Sequence, residues 1–318
     1  MAAQRTPVTV GAHTVSLSNL DKVLFPRDGY TKGDLIAYYR GVATWLLPYL
    51  RDCPLTLQRY PDGIDGPSFF EKHLPKGLPD WVERVSLTSP EGTRAKTTYM
   101  VCNDEATLTY VANLASIVLH VWTSHVQTIE APDYMFFDLD PGERCTIKTL
   151  AAVALEVRDL LASIGLAALV KTSGGMGLHV VVPLVAGYTY DAAKMFAEIV
   201  AHRLAHEDGD RISLERSLAK RDQTAVYFDF LQVGRGKTMV SAYSVRARDG
   251  APVSTPLAWD EVQAFARKRS GVPADTFAAF NLKTTPKRLA RDGDLWGGKA
   301  WKKQRLEPAI AKAQKQWA

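Results

Sequence analysis

The run Tyr134-Met-Phe-Phe-Asp-Leu-Asp-Pro141 constrains this chain more than any other segment. Residues 134 to 139 are apolar and aromatic apart from Asp138, which reads as an interior strand, and the run closes on Asp140 and Pro141. Successive strand side chains point to opposite faces, so Asp138 and Asp140 project to the same side. Two carboxylates aimed at one point repel unless a cation lies between them. Hard oxygen donors select Mg2+ or Mn2+. The fold therefore has to bring an interior strand out to a charged end. An Asp-x-Asp pair alone has several owners, among them phosphatases, glycosyltransferases and calcium loops.

Two further segments narrow the choice. Residues 169–172 and 178–183 read as strands that flank a glycine-rich turn, Ser173-Gly174-Gly175-Met176-Gly177. Glycines let a backbone come close to a phosphate and expose its N–H groups. Ser173 can donate its hydroxyl, and His179 follows on the second strand, two residues from Val181. An isolated histidine is commonly structural; beside a phosphate cradle the expectation is a triphosphate contact. Residues 225–231 alternate and carry Asp229, a third carboxylate in an apolar strand. Burying it without a partner is expensive, and a metal is one such partner. A helix is expected from Thr31, capped by that residue with Asp34 at its third position. Two more are expected over Ile147–Ile164, between a Thr146 cap and a Gly165 stop, and over Asp191–His206. Strands alternating with helices indicate an α/β or α+β fold.

The bulk numbers set limits. The 318 residues suffice for one large domain or two ordinary ones, and 46% hydrophobic content is that of a globular protein. No apolar run reaches the roughly 20 residues of a membrane span, and the first ten residues lack the pattern of a signal peptide. Cys53, Cys102 and Cys145 form no Cys-x-x-Cys pair, so buried free thiols in a reducing cytoplasm are expected. Net charge is +5, yet residues 281–318 hold ten Lys or Arg against three Asp or Glu, a net of +7, leaving about −2 for the rest. That tail also holds Trp296, Trp301 and Trp317. It suits a nucleic-acid backbone and its bases, or an amphipathic helix packing its tryptophans on the body.

The ordered motifs resemble the archaeo-eukaryotic primase superfamily, and more closely the polymerase domain of bacterial ATP-dependent DNA ligase D. The motifs that carry the likeness are Phe136-Phe137-Asp138-Leu139-Asp140-Pro141-Gly142, Thr172-Ser173-Gly174 through Gly177-Leu178-His179, and Asp229 before Gln232. Leu17 through Pro26, Arg59-Tyr60-Pro61-Asp62-Gly63, Ser68 through Lys72, Tyr243 through Arg246 and Arg291-Asp292-Gly293-Asp294 extend it over nearly the whole chain. The nearest type is the stand-alone actinobacterial Prim-PolC kind, linked to short-gap repair. The resemblance implies an α/β (α+β) primase-polymerase core, with an RRM-like mixed sheet packed by helices and an N-terminal sheet and helix module. The corresponding division is a catalytic domain over residues 1–280 and a basic helical extension over 281–318.

It implies roles as well. Asp138, Asp140 and Asp229 would hold two Mn2+ or Mg2+ ions and carry catalysis. Ser173, Gly174, His179 and Arg246 would contact the incoming triphosphate, and His120 the nucleotide sugar. Lys22 and Lys32 would hold a downstream 5′-phosphate, Lys32 from the first turn of the Thr31 helix, where exposed N–H groups already favour an anion. Phe69 and Phe70 would stack on the template base, with at least one ring expected in the core. The implied activity is template-directed filling of short gaps, with ribonucleotides preferred and a separate DNA ligase as a possible partner. End-joining synthesis, de novo priming and non-catalytic DNA-end binding are the alternatives. Val233 and Met176 stand where the family often has asparagine and lysine. The segment Ser89–Thr98 occupies the place of a loop that brings broken ends together.

Overall fold

The computed structural model describes residues 5–88, 96–269 and 271–317, so most of the Ser89–Thr98 segment lies outside the described residues. The chain divides into two compact units. The first comprises Met1–Gln127, Thr238–Thr255 and Phe280–Gly293, and the second Thr128–Lys237, Pro256–Ala279 and Asp294–Ala318. Among the described residues no helix is long and apolar enough to cross a membrane. The three cysteines are buried.

The first unit begins with an antiparallel hairpin, Arg5–Val10 with His13–Ser18. Its main sheet runs Thr238–Val240, Ser116–Trp122, Pro54–Arg59, Lys96–Val101 and Arg84–Thr88, and Phe69–Glu71 pairs with Pro54–Arg59 beside that path. The expected helix forms over Lys32–Gly41. Thr31 Oγ1 accepts from the Asp34 N–H at 3.2 Å, and the Asp34 carboxylate accepts from the Thr31 N–H at 2.8 Å, closing a reciprocal cap. Leu35 and Tyr39 on this helix are fully buried. The Tyr39 hydroxyl donates to the Ile117 carbonyl at 2.7 Å and accepts from the Val245 N–H at 3.1 Å.

The second unit is built on a mixed sheet in the order Ile212–Ser213, Val226–Asp229, Tyr134–Pro141, Leu178–Pro183, Leu169–Thr172, Pro256–Leu257. Only the first of these pairs is parallel. Helices Ile147–Ser163 and Tyr190–Glu207 pack on it. Thr146 caps the first through the Thr149 N–H at 3.1 Å, and Gly165 takes a φ of +90° at its far end, as the sequence indicates. The Asp229 strand is shorter than the pattern of residues 225–231. It stops at Asp229 because the Leu231 N–H turns back to that carboxylate at 2.9 Å. Phe137 and Leu139 are fully buried on one face of the central strand. On the other face Tyr134 and Phe136 are buried, Asp138 is half-buried and Asp140 is exposed, so the face opens toward its end.

Two of the three tail tryptophans, Trp296 and Trp301, pack inward. Trp296 is 1% exposed and donates Nε1–H to the Val170 carbonyl at 3.1 Å, and Trp301 lies against Tyr134 and Trp296. Lys303 reaches the buried Asp133 carboxylate at 2.7 Å. Residues 294–318 thus lace onto the second unit, whereas residues 280–293 group with the first.

Candidate active site

Strand register gathers the acidic residues. Asp138 lies directly opposite Asp229 on one neighbouring strand and opposite His179 on the other. Lys171, fully buried, lies opposite His179 one strand further on. Directly opposed residues share a face, so Lys171, His179, Asp138 and Asp229 form one row across four strands. Asp140 and its partner Tyr227 form the next row on the same face. His179 Nε2 is 3.2 Å from Asp138 Oδ1. Gln232 donates from Nε2 to Asp229 Oδ2 at 3.0 Å, while Oδ1 takes the Leu231 N–H. The Arg221 guanidinium lies 3.4 Å above the Tyr227 ring. Burial, reinforced by the Asp229 carboxylate, raises the Tyr227 phenol pKa against the opposing pull of Arg221.

The glycine turn meets this row closely, and two of the N–H groups expected to face outward are taken within it. Gly175 and Gly177 both donate to Ser173 Oγ at 3.1 Å, and Ser173 N–H donates to the Gly177 carbonyl at 2.9 Å. Ser173 therefore ties the turn shut with its lone pairs and keeps its proton to donate. Gly174 takes a φ of +73°, the left-handed region that favours glycine. A Cβ at Gly177 would come within 2.6 Å of the Leu139 carbonyl and 3.3 Å of Asp140 Oδ1. Only glycine lets the turn lie against the aspartate strand at this distance.

Among the described residues no three His, Cys, Asp or Glu side chains are already gathered into a metal cage. The donors nevertheless fit a hard divalent cation in kind. Asp138, Asp140 and Asp229 offer only carboxylate oxygens, from adjacent strands and one face. The neighbouring His179 and Gln232 lie against two of these carboxylates and orient them.

The remaining sequence-predicted residues, Lys22, Lys32, Phe69, Phe70, His120 and Arg246, belong to the first unit. Lys32 is 4% exposed, with Nζ 3.1 Å from the Asn113 carbonyl and 3.4 Å from Ser18 Oγ. Burial, with the nearby Lys22 charge adding to it, lowers its pKa to about 8. Lys22 pairs with Asp62 at 2.7 Å. The helix N–H groups are not open to an anion as expected. Lys32 donates its N–H to the Lys22 carbonyl and Gly33 its N–H to the Leu20 carbonyl, each at 2.8 Å, while Asp34 donates to Thr31. An anion here would be held by the lysine side chains.

Phe69 and Phe70 are 45% and 58% exposed, so neither ring is core, contrary to expectation. They sit on a three-residue strand paired on one side only, where both faces are open. Phe70 lies edge-on to His120, with ring centroids 5.7 Å apart. Arg246 is half-buried, and its backbone N–H donates to the Pro252 carbonyl at 2.7 Å. Lys171, Gln232, Arg221 and Arg59 are neighbours of these groups to which sequence reasoning gave no role. A lysine inside the apolar strand of residues 169–172 was a visible signal. The others needed the pairing register.

The fold and the row define a class first: an α/β protein whose acid-centred site opens at the end of an interior strand. The profile of the family described as LigD, primase-polymerase domain, matches residues 31–296, and the chain belongs to that family of nucleotidyltransferases. It is 36% identical over 250 residues to the multifunctional non-homologous end joining protein LigD of Mycolicibacterium smegmatis, covering 78% of this chain and 32% of that one. It is 32% identical over 282 residues to the bifunctional LigD of Bacillus subtilis, covering 88% and 43%. The chain thus spans about a third of the first of these relatives. Its structure is similar to the polymerase domain of Mycobacterium tuberculosis ligase D solved in complex with DNA. The TM-score is 0.79 at 33% identity, covering 89% of this chain and 96% of that domain.

Proposed function

We propose that this chain is a DNA-templated polymerase that fills short, 5′-phosphorylated gaps during DNA repair and prefers ribonucleotides. The observation that carries this is the row Asp229–Asp138–His179, with Asp140 beside it and the Ser173–Gly177 turn against Asp140. A carboxylate row next to a closed glycine turn suits a nucleoside triphosphate better than a phosphatase substrate. Asp138, Asp140 and Asp229 would hold two Mg2+ or Mn2+ ions, whose charge would offset that of the triphosphate and lower the pKa of a primer 3′-hydroxyl. His179 orients the Asp138 carboxylate from one side of the strand. Ser173 gives its remaining proton to a phosphate oxygen, and Gly174 lets the backbone come close. Arg246 adds charge for the phosphates, His120 contacts the sugar, and Phe70 and Phe69 take up template bases. Lys22 and Lys32 receive the downstream 5′-phosphate. A separate DNA ligase would seal the nick that remains.

The similarity to non-homologous end joining proteins favours a second reading, synthesis at ends during that process. Extension assays on gapped, 3′-overhang and unprimed templates, with ribo- and deoxyribonucleotides, separate the two. Gap filling predicts strongest addition to the phosphorylated gap. Activity confined to unprimed template rejects both readings in favour of de novo priming.

A further inference from the structure

The pairing register puts Phe69 and Phe70 to different uses. Phe69 lies opposite Arg59 and Phe70 opposite Gln58. Adjacent strand residues point to opposite faces. Phe70 therefore shares its face with Gln58, and with His120 by way of the Thr56–His120 pair. Phe69 shares the other face with Arg59 and Glu71.

On that face Arg59 is clamped. Its Nε donates to the Leu114 carbonyl at 3.0 Å, and Nη1 donates to the two Glu71 oxygens at 3.2 and 3.0 Å. The two side chains are only 18% and 16% exposed, so the pair is held more firmly than a surface ion pair. The guanidinium carbon sits 5.3 Å from the centre of the Phe69 ring, within cation–π range. The Nε and Nη1 donors are directed to protein acceptors, and the Glu71 charge balances that of Arg59. The cluster is therefore suited to an aromatic surface and poorly suited to a phosphate. Phe69 is 45% exposed even with the Arg59 guanidinium against its ring, so part of its surface is open to solvent.

We propose that Arg59 is a positioning residue that fixes Phe69 as a stacking platform for one unpaired template base, on a face separate from Phe70. The proposal rests on the DNA-templated reading above. It explains why both rings are exposed on so short a strand: each serves its own face.

Binding of gapped DNA, measured by fluorescence anisotropy with normal or abasic template nucleotides in the gap, tests it. Base–aromatic stacking predicts that wild-type protein prefers the normal template by about tenfold. Phe69→Leu should remove most of that preference. Arg59→Ala and the charge-preserving Arg59→Lys should reduce it, and Arg59→Ala combined with Phe69→Leu should lose little more than Phe69→Leu alone. Thermal melting identifies any unfolded variant, and Glu71→Gln, which loosens the clamp without removing the arginine, then supplies the comparison. The proposal is overturned if folded Arg59 and Glu71 variants keep the full preference. It is overturned equally if they weaken normal and abasic DNA alike, which would make Arg59 a backbone contact. Nucleotide addition by the same proteins separates the two levels. A wild-type protein that adds no nucleotide sinks the polymerase reading, whereas addition with an unchanged abasic response in the variants sinks only the platform.

Discussion

Lys32 gives the proposed 5′-phosphate pocket a pH dependence that can be worked out in advance. Burial is the main cause of its lowered pKa, and Lys22 adds to it, so the amine titrates near 8 and not near 10.5. A terminal phosphate monoester is largely a dianion above its second pKa of roughly 6. It needs the protonated lysine, so affinity is full well below pH 8, is halved near pH 8 and falls about tenfold per unit well above it, or ~1.4 kcal/mol. The dissociation constant for a 5′-phosphorylated gap should therefore rise about tenfold between pH 8.5 and pH 9.5. A 5′-hydroxyl gap should lack this component. Lys32→Gln should weaken 5′-phosphate binding at pH 7 and abolish the pH dependence. Folding follows the same linkage. The folded pKa lies below the unfolded one, so the free chain gains stability as pH rises from about 8 toward 10.5 and the burial cost of the charge disappears. Anisotropy titrations with both gaps across pH 7 to 10 provide the assay. Identical pH profiles for the two substrates would refute the reasoning, because Lys32 would then not meet the phosphate.

Three substitutions address other parts of the structure. Gly177→Ala places a methyl 2.6 Å from the Leu139 carbonyl, so it should cost about 1–3 kcal/mol in urea unfolding and lower extension activity by displacing Asp140. Gln232→Ala removes the donor that orients Asp229 Oδ2, and Mn2+ affinity measured by titration should fall roughly ten- to a hundredfold. An unchanged affinity would rule out an orienting role for Gln232. Tyr39→Phe leaves the Val245 N–H without its hydroxyl acceptor in the core, and should destabilise the protein by about 1–3 kcal/mol with little effect on nucleotide binding.

Much of the site was legible because its elements are local. The Asp138 and Asp140 spacing, the glycine turn and the Thr31 and Thr146 caps are all set within a few residues, and each appears in the structure. The carboxylate row was only half legible. Period-two alternation puts Asp138 and Asp140 on one face, but it does not reveal that Asp138 is directly opposite both Asp229 and His179. That depends on register between strands distant in sequence. The same gap explains Gln232 and Arg59, whose partners are visible only once the chain is folded. Two of the expectations that failed have local causes. The first-turn N–H groups at Lys32 and Gly33 are taken by backbone carbonyls of Lys22 and Leu20, an arrangement no propensity rule exposes. Phe69 and Phe70 remain outside the core because their strand is short and paired along one edge only.

If the row of Asp138, Asp140 and Asp229 carries nucleotidyl transfer, primer extension on a gapped template with Mn2+ or Mg2+ depends on it. Wild-type protein should extend the primer. A folded Asp138→Ala/Asp140→Ala double variant that still binds the gapped DNA should add no nucleotide, and extension by that variant near the wild-type rate would contradict the claim.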